Sequence, residues 1–283
     1  MCGDETMNER TTLALPAPRL VEGRFGSCAA LTDEGLFEAC GVRIAFTERL
    51  GGVSEGAFSS LNLGRHVNDD LGCVEENVAR VMDAFGASGS VCIRPHQVHG
   101  KTLVVCRDRH DAPGVNATAQ DGADGVIVTC DDVSALLCFA DCVPVIVVSP
   151  AGHFAVVHAG WRGVVARIAE AAVIRLCELD RVSACELNVY IGPHIRACHF
   201  EVGPEVSEVF AREFGPACVP DPRHVDMARA LRDSLCAIGV SGDRIADAEV
   251  CTVCNRTRFF SYRASGGICG RHGAFAVRAS SPV

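Results

Sequence analysis

The chain lacks the features that define several classes of protein. It has no block of Lys and Arg and its net charge is −9 at pH 7, whereas binding to a nucleic-acid polymer requires a basic surface. Its longest apolar stretch, residues 133–148, contains Asp141 and Pro144 and is too short to span a bilayer. The first residues show no basic segment followed by an apolar one, so we expect no signal peptide and a cytosolic location. We therefore expect neither nucleic acid nor a membrane as a partner.

A disulfide framework is not expected, although the chain contains 17 cysteines. Their number is odd, they are scattered through apolar segments, and cysteines in a protein that is not exported stay reduced and pack as small hydrophobic side chains. Cys251 and Cys254 form one CxxC pair, and Cys269 follows further along. A single CxxC lacks the second pair of a typical zinc site, so the pattern assigns no role to these three residues.

The order of predicted elements indicates an α+β fold. Hydrophobic residues make up 48% of the chain, enough for a substantial core. Short β-branched runs bounded by Gly, Asp or Pro predict strands, and apolar residues at helical spacing predict helices. The predicted helices cover residues 74–85, 163–179, 204–214 and 225–238. Because strands and helices do not alternate strictly, we predict a single layered domain with mixed β-sheets flanked by helices.

The expected domain begins near residue 41. Residues 1–40 show weak periodicity and are interpreted as a variable N-terminal segment with one strand around residues 29–31. Residues 41–283 contain the regular pattern of strands and helices, with no internal repeat or linker. We therefore expect one domain over this second range.

Two neighbouring predicted strands carry polar residues that a core does not require. The strands are separated by the turn-forming residues 150–152. If Val148 faces Gly152 in a hairpin, then Cys142 faces His158, and cross-strand Cβ atoms lie about 4.5–5.5 Å apart. One metal ion can bind a thiolate and an imidazole at that separation. The pairing therefore predicts two ligands of a metal site.

A third ligand is expected from the segment PHQVHG, residues 95–100, in which His99 is the leading candidate. His96 lies three positions earlier, and in an extended segment that spacing places the two histidines on opposite faces. Three protein ligands leave the fourth tetrahedral position open, as in catalytic zinc sites. One Cys and two His suit Zn²⁺, and Cu²⁺ accepts the same donors.

Several motifs occur in the order found in the laccase-domain (polyphenol oxidase) family, which the chain resembles from about Val42 onward. They are GVSEGAFSSLNLG, QVHG, ADGVIVT, ADCVPV, HAGWRG, IGPHIRACHFEVG and FFSYR. In that family the histidine of QVHG, the cysteine of ADC and the histidine of HAGWRG bind zinc. The resemblance therefore implies zinc binding by His99, Cys142 and His158, and a catalytic domain over residues 41–283.

Family members have also been called peptidoglycan editing factors, and are similar to purine nucleoside phosphorylases with adenosine deaminase activity. The resemblance thus implies cleavage of adenosine, inosine, guanosine or methylthioadenosine by phosphate, with a purine nucleoside and phosphate as small-molecule partners. For deamination the rationale for zinc is direct, because the metal activates water for attack on a purine carbon. Phosphorolysis additionally requires a bound phosphate, whose geometry a guanidinium matches.

Five further residues are candidates within this reaction. Asp141 and Arg162 are expected to be catalytic, Arg162 because it lies at the probable start of a helix, where unpaired amides favour an anion. Strand alternation turns Asp141 away from the face of Cys142, so a positioning role is as consistent as that of a general base. The residues expected to bind substrate are Arg49, Asn62 and Arg263.

The sequence departs from the family pattern at positions that are not presumed ligands, which leaves the pocket wall and substrate preference open. Residues 199–201 read His-Phe-Glu in place of a Cys-Tyr-Glu run, and residues 68–70 read Asn-Asp-Asp in place of Gly-Asp-Asp. A further departure is Ala264, where a second Arg is common after Ser-Tyr-Arg.

Three alternative functions use the same residues. Cys142 activated by His158 is the arrangement of a cysteine hydrolase of amide or ester bonds. Copper-dependent phenol oxidation requires several metal centres, and ten histidines without a His-x-His pair are poor ligands for them. A structural zinc in a binding module requires a fourth protein ligand.

Overall fold

A computed structural model of the protein describes residues 14–278. The described residues form twelve strands and seven α-helices. The strands are β1 (Val21–Phe25), β2 (Cys28–Thr32), β3 (Val42–Thr47), β4 (Val91–Ile93), β5 (Leu103–Cys106), β6 (Gly125–Val128), β7 (Val133–Phe139), β8 (Val143–Val148), β9 (Phe154–Ala159), β10 (Asn188–Ile191), β11 (Ile245–Asp247) and β12 (His272–Arg278). The helices are α1 (Glu34–Cys40), α2 (Leu71–Ala84), α3 (Ala112–Ala119), α4 (Trp161–Val165), α5 (Ile168–Asp180), α6 (Pro204–Phe214) and α7 (Met227–Ala237). None of these helices has the length and apolar character needed to cross a bilayer.

The strands form two mixed sheets of six strands each. The first sheet has the order β1-β2-β3-β12-β7-β4, in which only the pair of β7 and β4 is parallel. The second has the order β11-β10-β8-β9-β6-β5, with antiparallel pairs at its centre and a parallel pair at each edge. This arrangement confirms the predicted α+β fold of one layered domain with mixed sheets.

The two sheets pack face to face and are covered by helices on their outer faces. Ile44 and Leu137 of the first sheet share one apolar cluster with Ile146 and Val156 of the second. The alternate side chains of β8 and β9 point outward onto α5 and α7, and α2 covers the outer face of the first sheet. Because β8 and β9 are buried on both faces, their sequences are continuous apolar runs without polar alternation.

The predicted register of the central hairpin was wrong by two residues. Val148 pairs with Phe154 and not with Gly152, so Pro144 is the residue opposite His158. The turn is wider than expected because Ser149 donates its N–H to the carbonyl of His153. Side chains alternate with a period of two, so a shift of two residues leaves Cys142, just before β8, on the same face as His158.

The helix predicted over residues 163–179 is in fact two helices. The chain breaks between α4 and α5 at Arg167, which has a left-handed backbone with φ of 60°. The Arg167 guanidinium lies over the ring of Phe214 and donates to the carbonyl of Glu213. These contacts with α6 are distant in sequence, and no Gly or Pro marks the break, so periodicity alone predicted one helix.

The segment that precedes residue 41 is built into the same domain over its described part. Strands β1 and β2 extend the first sheet from β3. Asp33 caps α1 by accepting the N–H of Leu36 at 3.0 Å. The other carboxylate oxygen of Asp33 accepts the hydroxyl of Tyr190 at 2.8 Å and the N–H of Arg19 at 2.9 Å. Because Tyr190 lies in β10, this contact ties the N-terminal segment to the second sheet.

We expect Tyr190→Phe to lower the free energy of unfolding by about 1–2 kcal/mol, because it leaves a buried acceptor on Asp33 without its hydroxyl donor. The measurement is urea denaturation followed by circular dichroism. Tyr262→Phe is the matched control, since the ring of Tyr262 is 55% exposed. Equal stability of both variants would show that the contact does not anchor the N-terminal segment.

Candidate metal centre

His99, Cys142 and His158 come together at one end of the second sheet. One ligand atom of each, an imidazole nitrogen or the sulfur, lies within 4.8 Å of the other two. His158 belongs to β9, Cys142 lies just before β8, and His99 lies in the loop between β4 and β5. His96 lies outside the cluster, and its ring packs on that of His66 with centroids 4.7 Å apart.

Two of the loops that carry this cluster have left-handed backbone at a non-glycine residue, with φ of 60° at His99 and 95° at Asp141. Such conformations are costly and persist where the surroundings fix them. The carboxylate of Asp141 accepts the hydroxyl of Thr252 at 2.6 Å and the N–H of Arg263 at 2.7 Å. These bonds hold the turn that presents Cys142.

Gly160, which follows β9, lets the three side chains converge. A Cβ atom at this position would lie 3.0 Å from Cδ2 of His99 and 3.2 Å from Sγ of Cys142. Any other residue would therefore press against two of the three candidate ligands. This close approach is a steric reason for the first glycine of the HAGWRG motif.

Asp124 orients both histidines, and it was not among the residues predicted from the sequence. Its Oδ1 lies 2.7 Å from Nδ1 of His158, so Nε2 of that ring faces the cluster. The same carboxylate accepts the backbone N–H groups of His99 at 2.9 Å and Gly100 at 2.6 Å. Carboxylates that accept the second N–H of a histidine ligand are a regular feature of metal sites. The one signal in the sequence was an acidic residue directly before a fully apolar strand, in the motif ADGVIVT; in the structure both are buried.

The electrostatics of the cluster favour the ligand form of the cysteine. Burial raises the pKa of the Cys142 thiol, but the adjacent His158 and His99 outweigh it and lower this pKa to about 6. Burial also lowers the pKa of His158, yet Cys142 and Asp124 raise it to about 9. These shifts favour a thiolate beside a protonated imidazole. A divalent cation would replace that proton as the partner of the thiolate.

The cluster opens onto a cavity of about 570 Å³. Part of the lining is apolar, from Leu136, Ile195, Phe200 and Tyr262. Another part, here called the basic wall, comprises Arg65, His66, Arg94, His96, Arg263 and Arg271, of which only Arg263 was predicted from the sequence to bind substrate. A cavity of this size, lined by both apolar and polar side chains, is suited to a small organic molecule.

Arg94 is the most buried guanidinium of the basic wall, with 12% of its side chain exposed. Its Nη1 donates to Glu75 at 2.7 Å, and the same carboxylate also faces Arg65 at 3.3 Å. Among residues 14–278, the Nη2 of Arg94 is one of few buried side-chain nitrogens without a hydrogen-bond partner. Burial and the charges of His96, Arg65 and Arg94 lower the pKa of His66, as expected where positive charge is in excess. The wall therefore has donor capacity for an anion.

The structure brings two of the five further candidates to the cavity. Asp141 and Arg263 both line it. Both carboxylate oxygens of Asp141 accept hydrogen bonds from the protein. The guanidinium of Arg263 donates to the carbonyls of His199 and Glu201.

The other three candidates, Arg49, Asn62 and Arg162, lie outside the lining of the cavity. The Arg49 guanidinium donates to two backbone carbonyls, those of Ser59 and Arg256. Asn62 is fully buried, and its amide bonds Asp69 and the backbone around it. Arg162 is exposed, and its guanidinium lies over the ring of Trp161 at 4.3 Å.

Two mixed sheets flanked by helices, with a candidate Cys-His₂ metal site lining a cavity, define an α+β protein. The chain belongs to the multi-copper polyphenol oxidoreductase laccase family, whose model matches residues 43–279. This match confirms the resemblance found in the sequence motifs.

Relatives within the family carry names of nucleoside enzymes. The chain is 36% identical to purine nucleoside phosphorylase YlmD of Geobacillus stearothermophilus over 250 residues, which cover 84% of this chain and 90% of that protein. It is 34% identical to adenosine deaminase RL5 of an unknown prokaryotic organism, over 80% of this chain and 90% of that protein. The crystal structure of YlmD from G. stearothermophilus superposes with a TM-score of 0.82 at 31% identity, covering 93% of this chain and all of that one.

We expect Asp124→Asn to weaken zinc binding about 10- to 100-fold, because the amide lacks the charge that holds the His158 ring. Zinc affinity is measured by competition with a chromogenic chelator. Asp121→Asn is the control, because this exposed carboxylate lies three residues away and outside the cluster. Unchanged affinity of the Asp124 variant would contradict the orienting role.

Proposed function

We propose that this protein is a zinc-dependent purine nucleoside phosphorylase that also deaminates adenosine. Its substrates are adenosine, inosine, guanosine and methylthioadenosine, with phosphate as the second substrate. The observation that carries the proposal is the Cys-His₂ cluster at a cavity lined by aromatic and basic side chains. The names of the relatives support the same chemistry.

The donor set of His99, Cys142 and His158 fits Zn²⁺. Three protein ligands leave one tetrahedral position for substrate or water, and the steric gap at Gly160 and the carboxylate of Asp124 are suited to holding those ligands. When bound, zinc supplies a Lewis acid and lowers the pKa of water near it. Copper accepts the same donors, so the proposal includes metal analysis of the purified protein.

The aromatic and basic side chains of the cavity account for the two substrates. Phe200 and Tyr262 offer aromatic surface to a purine ring. Arg94 and the other guanidinium groups of the lining provide donors for phosphate, in place of Arg49 and Arg162. Phosphate held there is positioned to attack the sugar carbon of the glycosidic bond, and the purine leaves as the free base.

Asp141 fits a positioning role better than that of a general base. Both of its oxygens already accept hydrogen bonds, from Thr252 and from the backbone of Arg263. Its backbone carbonyl also accepts the N–H of Ile195. Asp141 therefore joins three segments of the chain, two of which line the cavity, to the turn that carries Cys142.

The proposal is tested by incubating the purified protein with adenosine, with and without phosphate, and separating the products by chromatography. We expect adenine and ribose 1-phosphate only when phosphate is present, and inosine in both conditions. A chelator should abolish both reactions and added zinc should restore them, because in the proposal His99 and His158 act only as zinc ligands. Absence of all products from zinc-loaded protein contradicts the nucleoside assignment. Activity that survives complete metal removal would instead favour Cys142 as a nucleophile.

We expect Arg94→Lys to raise the KM for phosphate about tenfold, with a smaller change in kcat. The lysine keeps the charge but loses one charge-assisted hydrogen bond, a difference of about 1.5 kcal/mol. Steady-state kinetics at saturating inosine measure the effect. Arg162→Lys is the control and should leave the KM unchanged, because Arg162 lies over Trp161 outside the cavity. The reverse pattern would place phosphate at α4.

A further inference from the structure

A second group of candidate metal ligands lies outside the Cys-His₂ cluster. It consists of Cys198, His199, Cys251 and Cys254, each with one ligand atom within 4.8 Å of the others. The CxxC pair noted in the sequence is therefore completed by an adjacent Cys and His from another loop, while Cys269 is not a member. We propose that these four residues, here called the Cys₃His cluster, bind a structural zinc ion.

The distances within the Cys₃His cluster match those around one tetrahedral zinc ion. Zinc–sulfur bonds of about 2.3 Å and zinc–nitrogen bonds of about 2.0 Å place tetrahedral ligand atoms about 3.5–3.8 Å apart. Here Nδ1 of His199 lies 3.2 Å from Sγ of Cys198, 3.7 Å from that of Cys251 and 3.5 Å from that of Cys254. The sulfurs of Cys198 and Cys254 are 3.9 Å apart. A single ion fits between all four atoms with little movement.

The backbone around the CxxC pair favours a thiolate. The N–H groups of Arg196, Val253 and Cys254 donate to the sulfur of Cys251. Backbone donors of this kind stabilise a cysteine sulfur that carries negative charge, as a metal-bound thiolate does.

The number of ligands distinguishes the Cys₃His cluster from the candidate catalytic centre. Four protein ligands complete the tetrahedron and leave no position for substrate, which is the pattern of a structural zinc site. Cys198, His199 and Cys254 are exposed, so an ion can reach the cluster from solvent. The competing state is a disulfide between Cys198 and Cys254. To form it, their sulfurs would have to approach from 3.9 Å to about 2.05 Å.

A metal at this position would connect two loops that share little secondary structure. The loop before α6 and the loop after β11 meet at one isolated bridge, between His194 and Cys251. Phe200 lines the cavity directly after His199, and Arg263 lines it while donating to the carbonyl of His199. Zinc would therefore fix one wall of the cavity, a consequence for catalysis that rests on the proposed function.

The test is the zinc content of the full-length chain, purified under reducing conditions and measured by mass spectrometry of the metal. We expect two zinc ions per chain in the unmodified protein, one for each cluster. Cys254→Ser and His199→Ala should each reduce the content to one. Cys142→Ser should also reduce it to one, by emptying the other cluster. Cys236→Ser is the matched control, an exposed cysteine of α7 outside both clusters, and should keep both ions.

Two further measurements separate loss of zinc from loss of fold. His199→Cys supplies a fourth thiolate and should retain both ions, whereas His199→Ala should lose one while its circular dichroism stays unchanged. In the cobalt-substituted protein, the strong thiolate-to-metal absorption of a three-sulfur site should disappear in Cys254→Ser and persist in Cys142→Ser. Activity is not needed for either measurement, so the outcome is independent of the nucleoside assignment.

Several results would overturn the proposal. A single zinc ion that is lost in Cys142→Ser and kept in Cys254→Ser would do so, as would an unchanged zinc content in Cys254→Ser and His199→Ala. A disulfide between Cys198 and Cys254 in the reduced preparation, detected by the mass of the intact chain and its peptides, would assign the cluster to redox chemistry instead.

Discussion

The candidate metal centre depends on one buried carboxylate, that of Asp124. It accepts one hydrogen bond from the ring N–H of His158 and another from the backbone N–H of His99, where the chain has a left-handed conformation. Burial raises its pKa, but the His158 ring and the N–H donors of Gly100 and His99 outweigh it, so the group stays ionised. One negative charge thus fixes the direction of one candidate ligand and the loop of another. The third candidate ligand, Cys142, is brought to the same point by the turn that leads into β8, the first strand of the hairpin.

The layered fold makes this convergence possible because it holds the strand ends in place. Strands β8 and β9 are buried on both faces, between the first sheet and the helices, and have little freedom to shift. The turn that leads into β8 adopts the costly backbone of Asp141, and the loop between β4 and β5 adopts that of His99. Packing energy in the sheets therefore offsets local strain in the loops. The proposed zinc at the Cys₃His cluster would likewise hold in place two loops of the cavity that the sheets do not fix.

Sequence patterns predicted the features that depend on local periodicity. The mixed sheets and most helices follow from β-branched runs and helical spacing. The prediction that Cys142 and His158 lie on the same face of the hairpin was correct although the register was wrong by two residues, because side chains alternate with that period. Features that depend on contacts distant in sequence were missed. The break in the helix at Arg167 accompanies its contact with Phe214, and Arg94 lines the cavity from the position just after β4. Arg49 and Asn62 seemed suited to substrate in isolation, but backbone carbonyls and Asp69 occupy their donors.

The position of the only tryptophan of the chain has a practical consequence. Trp161 directly follows Gly160, the residue that lies against the candidate ligands. The guanidinium of Arg162 lies over the indole ring. All indole emission of this protein therefore originates beside the metal centre, with no background from elsewhere in the chain. Ultraviolet fluorescence gives an unlabelled optical view of this one corner of the molecule during titrations with cations or nucleosides.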